Sequence, residues 1–150
     1  MSSLSSENQL PKPLEQGAFL TCIKAADILL QGVTRLLKPS DLSISQDNIL
    51  RILRGALSDG LPCQQISERM ISHNPDITRL IDRMEKAGWV QRSRDQHDRR
   101  KVMVRIKWKG LQLLSDLDEP VLALQKRQFA ALSEGQMGQL LDLLKIIDEI

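Results

Sequence analysis

The spacing of apolar residues changes partway along this chain of 150 residues, and that change limits the folds it can adopt. Over residues 77–84 apolar side chains recur every three or four positions, which predicts a helix that buries one face. Gly88 then predicts the left-handed residue that ends such a helix. Over residues 102–108 every second residue is apolar, which predicts a strand, and residues 89–92 predict its partner. The turn between them, RDQHDRRK at 94–101, is too charged to bury, so we expect a β-hairpin with a basic tip.

Shorter helices are expected before that segment. Ser45 is expected to cap a helix with an apolar stripe over residues 49–57, and Ile44 to pack on Ile49 across the cap. A short helix is expected over residues 62–70, because proline suits a first helical turn.

Capping residues mark the helices on either side of the hairpin. Asn74 is expected to cap the helix before it, with Pro75 behind the cap and Asp76 near the positive end of the helix dipole. After the hairpin a further helix is expected over 109–132, and the Ser-x-x-Gln of residues 133–136 predicts a capping box for a last helix.

Three short helices followed by a basic hairpin form a winged helix-turn-helix, so the predicted fold class is mainly α with a small β-hairpin wing. We divide the chain into a flexible lead (1–12), an N-terminal dimerisation helix (13–37), a winged DNA-binding domain (45–108) and C-terminal dimerisation helices (109–150). The helices at both ends are apolar on more sides than one neighbour can cover, which favours a homodimer. A monomeric helical bundle is the alternative.

Positive charge is concentrated in the predicted helix and hairpin. Residues 79–109 contain eleven Lys or Arg and four acids, whereas the whole chain has a net charge of only +2. This distribution predicts contact with a polyanion, and a helix beside a basic wing predicts duplex DNA. The side chains expected to reach base edges are those of Asp76, Thr78, Arg79, Asp82 and Arg83. The wing is expected to reach the minor groove or its phosphates with Arg99 and Arg100, and to hold the DNA backbone with Arg92, Arg94 and Lys101.

The segment ITRLIDRMEKAGWVQRSRDQHDRRKVMVRI (77–106) resembles the MarR family of bacterial transcription regulators. The family pattern is approximately T-R-L-x-x-R-L-E-x-x-G-x-V-x-R followed by D-x-x-D-x-R and the second wing strand. The positions that match are Thr78, Arg79, Leu80, Arg83, Glu85, Gly88, Val90, Arg92, Asp95, Asp98, Arg99 and Arg100.

This resemblance implies a triangular homodimer whose first and last helices intertwine and whose winged domains bind a pseudo-palindromic operator. Family members usually repress a stress, efflux or catabolic operon and release DNA when a small molecule or an oxidant is sensed. By the same resemblance, Asp98 would brace a wing arginine, Arg100 would enter the minor groove and Arg79 would lie on the reading helix. The effector cavity would lie between the dimerisation helices and the winged domain.

One part of the family pattern is missing here. A typical member has Leu-Thr before the glycine of the helix that follows the wing, whereas residues 106–110 of this chain read IKWKG. Because the capping threonine is absent, we expect the joint between wing and helix to be held differently.

Other classes of function find little support in the residues. No nucleophile–base pair, glycine-rich phosphate loop or paired carboxylate stands at usable spacing, so we expect neither an enzyme nor a cofactor. The cysteines and histidines do not share the spacing of metal ligands. Cys22 is expected to be a buried structural thiol and Cys63 a slightly acidified one. The remaining alternative is a winged-helix dimer that binds a protein, as an interaction module or antirepressor.

A cytoplasmic location is also expected. Residues 1–10 lack the basic start and apolar stretch of a secretory signal, and the cysteines are too few for a disulfide framework. We expect no apolar run to be long enough to span a membrane, which needs about 18 residues.

Overall fold

The computed structural model describes residues 13–56, 58–72 and 76–150. Its helices are α1 (Leu14–Leu37), α2 (Ile44–Gly55), α3 (Cys63–Arg69), α4 (Ile77–Lys86), α5 (Trp108–Gln128) and α6 (Glu134–Asp148). Its strands are β1 (Leu61–Pro62), β2 (Val90–Arg94) and β3 (Val102–Ile106). Three predicted features lie outside the described residues. They are the lead at 1–12, Leu57 in the apolar stripe of residues 49–57, and the cap Asn74 with Pro75.

The second helix begins earlier than predicted. Ser43, not Ser45, is the N-cap of α2: its Oγ accepts a hydrogen bond from the backbone N–H of Gln46 at 3.1 Å. The backbone N–H of Ser43 in turn donates to Gln46 Oε1 at 3.0 Å, which completes a capping box. Ile44 is therefore the first helical residue, and the predicted packing of Ile44 on Ile49 across a cap at Ser45 was wrong.

The sheet has three strands where two were predicted. β1 pairs antiparallel with β3, and β3 pairs antiparallel with β2, in the order β1-β3-β2. β1 contains only two residues, and its Pro62, which was expected to open α3, lies on an edge strand where a missing N–H is tolerated. Trp108 was placed at the end of the second wing strand, but it is the first residue of α5 and is 75% exposed.

The last two helices follow the prediction with one change of boundary. α5 ends at Gln128 and not at Leu132. The capping box of α6 is confirmed, since Ser133 Oγ accepts from Gln136 N at 3.1 Å and Ser133 N donates to Gln136 Oε1 at 3.0 Å.

The core of the protomer lies in the middle of the chain. Its buried apolar residues all fall between Leu37 and Leu117, and they come mainly from α2, α4, the sheet and the first half of α5. By contrast, α6 has no buried residue and α1 has only Leu37. Large apolar side chains on both end helices are exposed, for example Phe19 (65%) and Ile146 (66%). A single chain therefore leaves its end helices without the cover that their composition requires.

By length and composition alone, Leu14–Ser40 meets the criterion for a helix that crosses a membrane, with a mean hydropathy of 1.2. This differs from the expectation that no run would be long enough. Lys24 and Asp27 lie near its centre, where a bilayer would make charged groups costly. The same composition suits a helix that is buried between two subunits.

Candidate nucleic-acid interface

Helix α4 has one buried face and one charged face. Ile81 and Met84 are fully buried, and Ile77 and Leu80 pack at the edge of the same core. On the opposite side Thr78, Arg79, Asp82 and Arg83 are exposed. Asp76 occupies the N-cap position. The core therefore fixes the orientation in which the predicted reading residues meet solvent.

The C-terminal end of α4 is closed by a Schellman motif. The N–H of Trp89 donates to the carbonyl of Met84, and the N–H of Gly88 donates to the carbonyl of Glu85, both at 3.0 Å. Gly88 has φ +81°, which confirms the predicted left-handed glycine. Lys109 Nζ adds a hydrogen bond to the Ala87 carbonyl at 2.9 Å, a contact that the sequence analysis missed.

Arg92 connects the wing to α4. Its guanidinium forms an ion pair with Asp82 and donates to the backbone carbonyl of Thr78 at 3.0 Å. Its backbone N–H also donates to Glu85 Oε2 at 2.7 Å. Arg92 was predicted to hold the DNA backbone and Asp82 to reach base edges, but each is the other's partner. This pairing neutralises an acidic residue on the exposed face of α4.

The tip of the wing is shaped by hydrogen bonds to its backbone, from the main chain and from side chains. Asp95 N donates to the Lys101 carbonyl at 2.9 Å, and Arg94 Nη1 donates to the Arg99 carbonyl at 3.0 Å. Asp98 Oδ1 accepts from the backbone N–H of Arg100 at 3.0 Å. Asp98 thus holds the main chain of the turn, whereas the resemblance implied that it would brace an arginine side chain.

Six cations on α4 and the wing have exposed side chains that neither donate a hydrogen bond to another described residue nor form an ion pair with one. They are Arg79, Arg83, Lys86, Arg99, Arg100 and Lys101. Neighbouring surface cations repel one another, and a bound polyanion would relieve that repulsion. Such a group is therefore typical of a surface that binds a polyanion.

The joint between the wing and α5 is held without a side-chain cap. Lys107 is the N-cap of α5 and makes no capping hydrogen bond with its side chain. Its backbone N–H instead donates to the Trp89 carbonyl at 2.8 Å. A Cβ atom at Gly110 would lie 2.5 Å from that carbonyl, so only glycine allows α5 to pass this close. As the missing threonine predicts, no side chain caps the start of α5.

The cysteines differ from their predicted environments. Cys22 is exposed on α1 of the single chain. Burial raises the pKa of the Cys63 thiol, and the nearby charge of Arg92 opposes that shift only in part. Cys63 is therefore less acidic than its position at a helix start suggested. Among the described residues no group of three metal-binding side chains is brought together.

A cavity of about 440 Å³ lies between α1, α2 and α5. Its apolar lining includes Leu30, Val33 and Val121, and its polar lining includes Asp47 and Arg51. Arg51 bonds Asp47 Oδ2 and Asp118 Oδ1, both at 2.9 Å. Asp47 Oδ1 and Arg51 Nη2 remain buried without a hydrogen-bond partner.

Comparisons with known proteins agree on one family. Residues 42–102 match the sequence profile of the MarR family. The chain is 31% identical over 117 residues to the HTH-type transcriptional repressor IacR of Pseudomonas putida, an overlap that covers 78% of this chain and 69% of IacR. It is 35% identical to a MarR transcription factor from Planctomyces limnophilus of known crystal structure, with a TM-score of 0.70 over 91% of this chain and 99% of that one.

A shared fold extends to more distant proteins. A MarR-family transcriptional regulator from Streptomyces coelicolor, crystallised in complex with DNA, superimposes with a TM-score of 0.83 at 21% identity and covers 95% of this chain and 92% of that one. The more similar relatives, IacR and the Planctomyces limnophilus protein, favour a transcriptional regulator over the protein-interaction module that the sequence had left open.

Proposed function

The chain belongs to the MarR family of transcriptional regulators, and on that premise we propose that it is a homodimeric repressor of a pseudo-palindromic operator in duplex DNA. The observation that carries the proposal is the group of unpaired cations on α4 and the wing. Each protomer places α4 in a major groove and the wing tip in the adjacent minor groove. The two winged domains of the dimer thereby read two half-sites on one side of the duplex.

The predicted site residues divide into two roles. Those that contact DNA are Asp76, Thr78, Arg79, Arg83, Arg99, Arg100 and Lys101. Those that position the contacting groups are Asp82, Arg92, Arg94 and Asp98, because their side chains join α4 to β2 or bond within the wing turn. Loss of a contacting cation should change the salt dependence of binding, whereas loss of a positioning residue should change affinity alone.

A salt titration with duplex DNA tests the proposal. We expect the logarithm of the binding constant to fall linearly with the logarithm of salt concentration, with a slope of several units. Arg100→Ala should make that slope shallower by about one unit, because one phosphate contact is lost. Lys126→Ala, which removes the same charge from the far end of α5, is the matched control and should leave the slope unchanged.

Two outcomes would contradict the proposal. One is equal, weak binding to random and promoter duplexes that Arg100→Ala does not alter. The other is tight, salt-dependent binding to an acidic protein in the absence of any preference for a DNA sequence, which would restore the interaction-module alternative.

We further propose that a small-molecule effector binds in the cavity between α1, α2 and α5. Three features support an apolar molecule with an acceptor group: the apolar walls, the buried Arg51 Nη2 without a partner, and Ile71 at the rim, which is 85% exposed. Ile71 also links the cavity to the segment before α4, since its backbone N–H donates to Asn48 Oδ1 at 2.8 Å.

A panel of aromatic carboxylic acids tests the effector site. A binding acid should raise the melting temperature of the free protein and weaken its hold on DNA. Val121→Phe should fill the cavity, abolish both responses and leave DNA binding intact. If an acid released DNA equally well from the filled variant, the effector site would have to lie elsewhere.

We place this regulator in the cytoplasm and assign it no catalytic activity. Both assignments rest on the family, because the relatives named above are transcriptional regulators that act on DNA. A location outside the compartment that holds the chromosome would be incompatible with the proposed role, and cell fractionation would detect it.

A further inference from the structure

A second cavity, of about 470 Å³, borders α4. Three parts of the molecule surround it: the end of α1 with Lys38, the start of α2 with Gln46, and the C-terminal half of α4 with Arg83. Trp89 completes the wall. The cavity therefore joins the predicted dimerisation helix to the predicted reading helix, and it shares none of its lining with the cavity between α1, α2 and α5.

Hydrogen-bond donors predominate in this cavity. The Lys38 ammonium and the Arg83 guanidinium have no hydrogen bond or ion pair with another described residue. Asp41 is the acidic residue of the lining, and its carboxylate pairs with neither cation among the described residues. The lining thus keeps an excess of one positive charge that the described part of the protein does not neutralise.

Gln46 is the most informative residue of the lining. Its side chain belongs to a residue that is only 7% exposed, and its Oε1 is fixed by the Ser43 N–H at 3.0 Å. With the amide oxygen held there, the Nε2 group has no partner among the described residues. This group is absent from the fully enclosed polar atoms that lack a partner, so it keeps some access to solvent, and Gln46 is part of the cavity lining. An amide donor held in this way is available to an acceptor.

We propose that this cavity binds a phosphate-type oxyanion, held by Lys38, Arg83 and the amide N–H group of Gln46. Charge-assisted hydrogen bonds from an ammonium, a guanidinium and an amide suit tetrahedral oxyanions, which present several acceptor oxygens. Two sources offer this chemistry. One is a phosphodiester group of bound duplex DNA, and the other is a free anion of the cell.

The role of the site depends on which of these two anions it binds. A DNA phosphate would fix α4 against α1 and thereby set the reading angle, a role that rests on the proposed function. A free anion would hold α4 in the same place before DNA arrives. In both cases occupancy links the orientation of α4 to the dimerisation helix.

The test uses the intact protein and inorganic phosphate, titrated at constant ionic strength against sodium chloride. Calorimetry measures the affinity, and Trp89 fluorescence in a Trp108→Phe background reports binding at the site, because Trp89 is then the sole tryptophan. Gln46→Glu is the informative variant, since glutamate keeps the acceptor that caps α2 but replaces the N–H donor with a charged oxygen. Lys38→Met removes one cation independently.

The chain offers a matched control for this substitution. Gln136 forms the same capping box with Ser133 at the start of α6. Gln136→Glu therefore repeats the chemical change in a box that does not border the cavity, and it should leave phosphate affinity within about twofold of the parent protein. Circular dichroism confirms that each variant remains folded.

We expect saturable phosphate binding that weakens by about tenfold or more in Gln46→Glu and in Lys38→Met, because each loses a hydrogen bond to a charged group. If those variants also weaken duplex DNA binding, and phosphate competes with DNA, the source is the DNA backbone. If duplex binding is unchanged while phosphate binding is lost, the source is a free anion.

A response to phosphate that never saturates or equals that to chloride, or equal phosphate affinities in the parent and both variants, would overturn the oxyanion site. The phosphate titration contains no DNA, so its result is independent of the proposed function. A protein that bound phosphate but no duplex would refute the DNA-binding proposal and leave the oxyanion site standing.

Discussion

The middle of this chain and its two ends differ in how much of their apolar surface one protomer buries. The winged domain buries its large apolar residues within one protomer: Ile49, Leu50, Ile66, Ile81, Met84 and Val104 are all fully buried. The end helices expose theirs, and α6 buries none of its residues in the single chain. The two regions have similar residue types, so the difference lies in where their partners are found.

This comparison separates two kinds of stability. A core that closes within one chain contributes a free energy of unfolding that does not depend on protein concentration. A surface that closes only between two chains contributes through mass action, and its contribution falls on dilution. We therefore expect the winged domain and the end helices to respond differently to the same substitution.

The largest effect is expected in the winged core. Ile81→Ala removes a fully buried side chain that packs α4 on α2, and should lower the free energy of unfolding by about 3 kcal/mol. Ile146→Ala makes the same change on α6. Urea unfolding over a range of protein concentrations should show a constant cost for Ile81→Ala and a cost for Ile146→Ala that shrinks on dilution, because the subunit contact that it weakens is then lost from both proteins. If the cost in unfolding free energy depended on protein concentration in the same way for both variants, the winged core and the end helices would not differ in how they are stabilised.

The next effect concerns assembly. Leu143→Asp combined with Ile147→Asp places two charges on exposed apolar positions of α6, which should prevent dimerisation because a subunit interface would have to desolvate them. Loss of simultaneous contact with two half-sites should weaken operator binding by about a hundredfold. Sedimentation and a binding titration measure both quantities. Gln139→Asp is the control on the same helix, and a dimer that survived the double change would place the interface elsewhere.

Much of this division between middle and ends could be predicted from the sequence. Apolar periodicity is a local signal, so it indicated α1, α4 and α6 and the excess of apolar surface on the end helices. Gly88 and the Ser133–Gln136 box were also predictable, because each capping motif depends on residues within one turn. The same rule, applied to Ser43 and Gln46, would have located the start of α2 correctly.

The details that were missed depend on neighbours distant in sequence. β1 has two residues, too few for any alternation, and it exists because β3 offers a free edge. Arg92 has the charge of a phosphate contact, and only the folded chain shows that it lies against Asp82 and Thr78. Charge alone therefore cannot distinguish a cation that is free to bind DNA from one that the protein's own groups already engage.

A third prediction sharpens that last distinction. Arg92→Gln should weaken duplex binding by about tenfold, because the wing is no longer fixed against α4, yet the salt slope should stay that of the parent protein. Arg100→Ala should lower the affinity for duplex DNA and also make the salt slope shallower. Arg92→Lys keeps the charge but cannot reproduce the same set of hydrogen bonds, and it should resemble Arg92→Gln. A shallower salt slope in Arg92→Gln would return Arg92 to the residues that contact DNA.

The smallest effect concerns the ion pairs that join α2 of the winged core to α5. Hydrogen bonds from Arg54 lower the pKa of Asp118, burial opposes that shift, and Arg51 adds to the lowering. A carboxylate whose pKa is lower in the folded state than in the unfolded state stabilises the fold above its ordinary pKa of about 4, and this contribution disappears as the pH falls through the lowered value.

Asp118→Asn should therefore be less stable than the parent protein near neutral pH, and the gap should close as the pH falls from about 5 towards 3. The gap should stay below about 1 kcal/mol, because the Asp118 side chain is 44% exposed and water screens the pairs. Urea unfolding at several pH values measures it. Asp116→Asn is the control, since that carboxylate accepts a hydrogen bond from an amide, that of Gln112, and not from an arginine. A gap that persisted unchanged at low pH would show that the Asp118 charge contributes nothing and that apolar contacts alone hold α2 against α5.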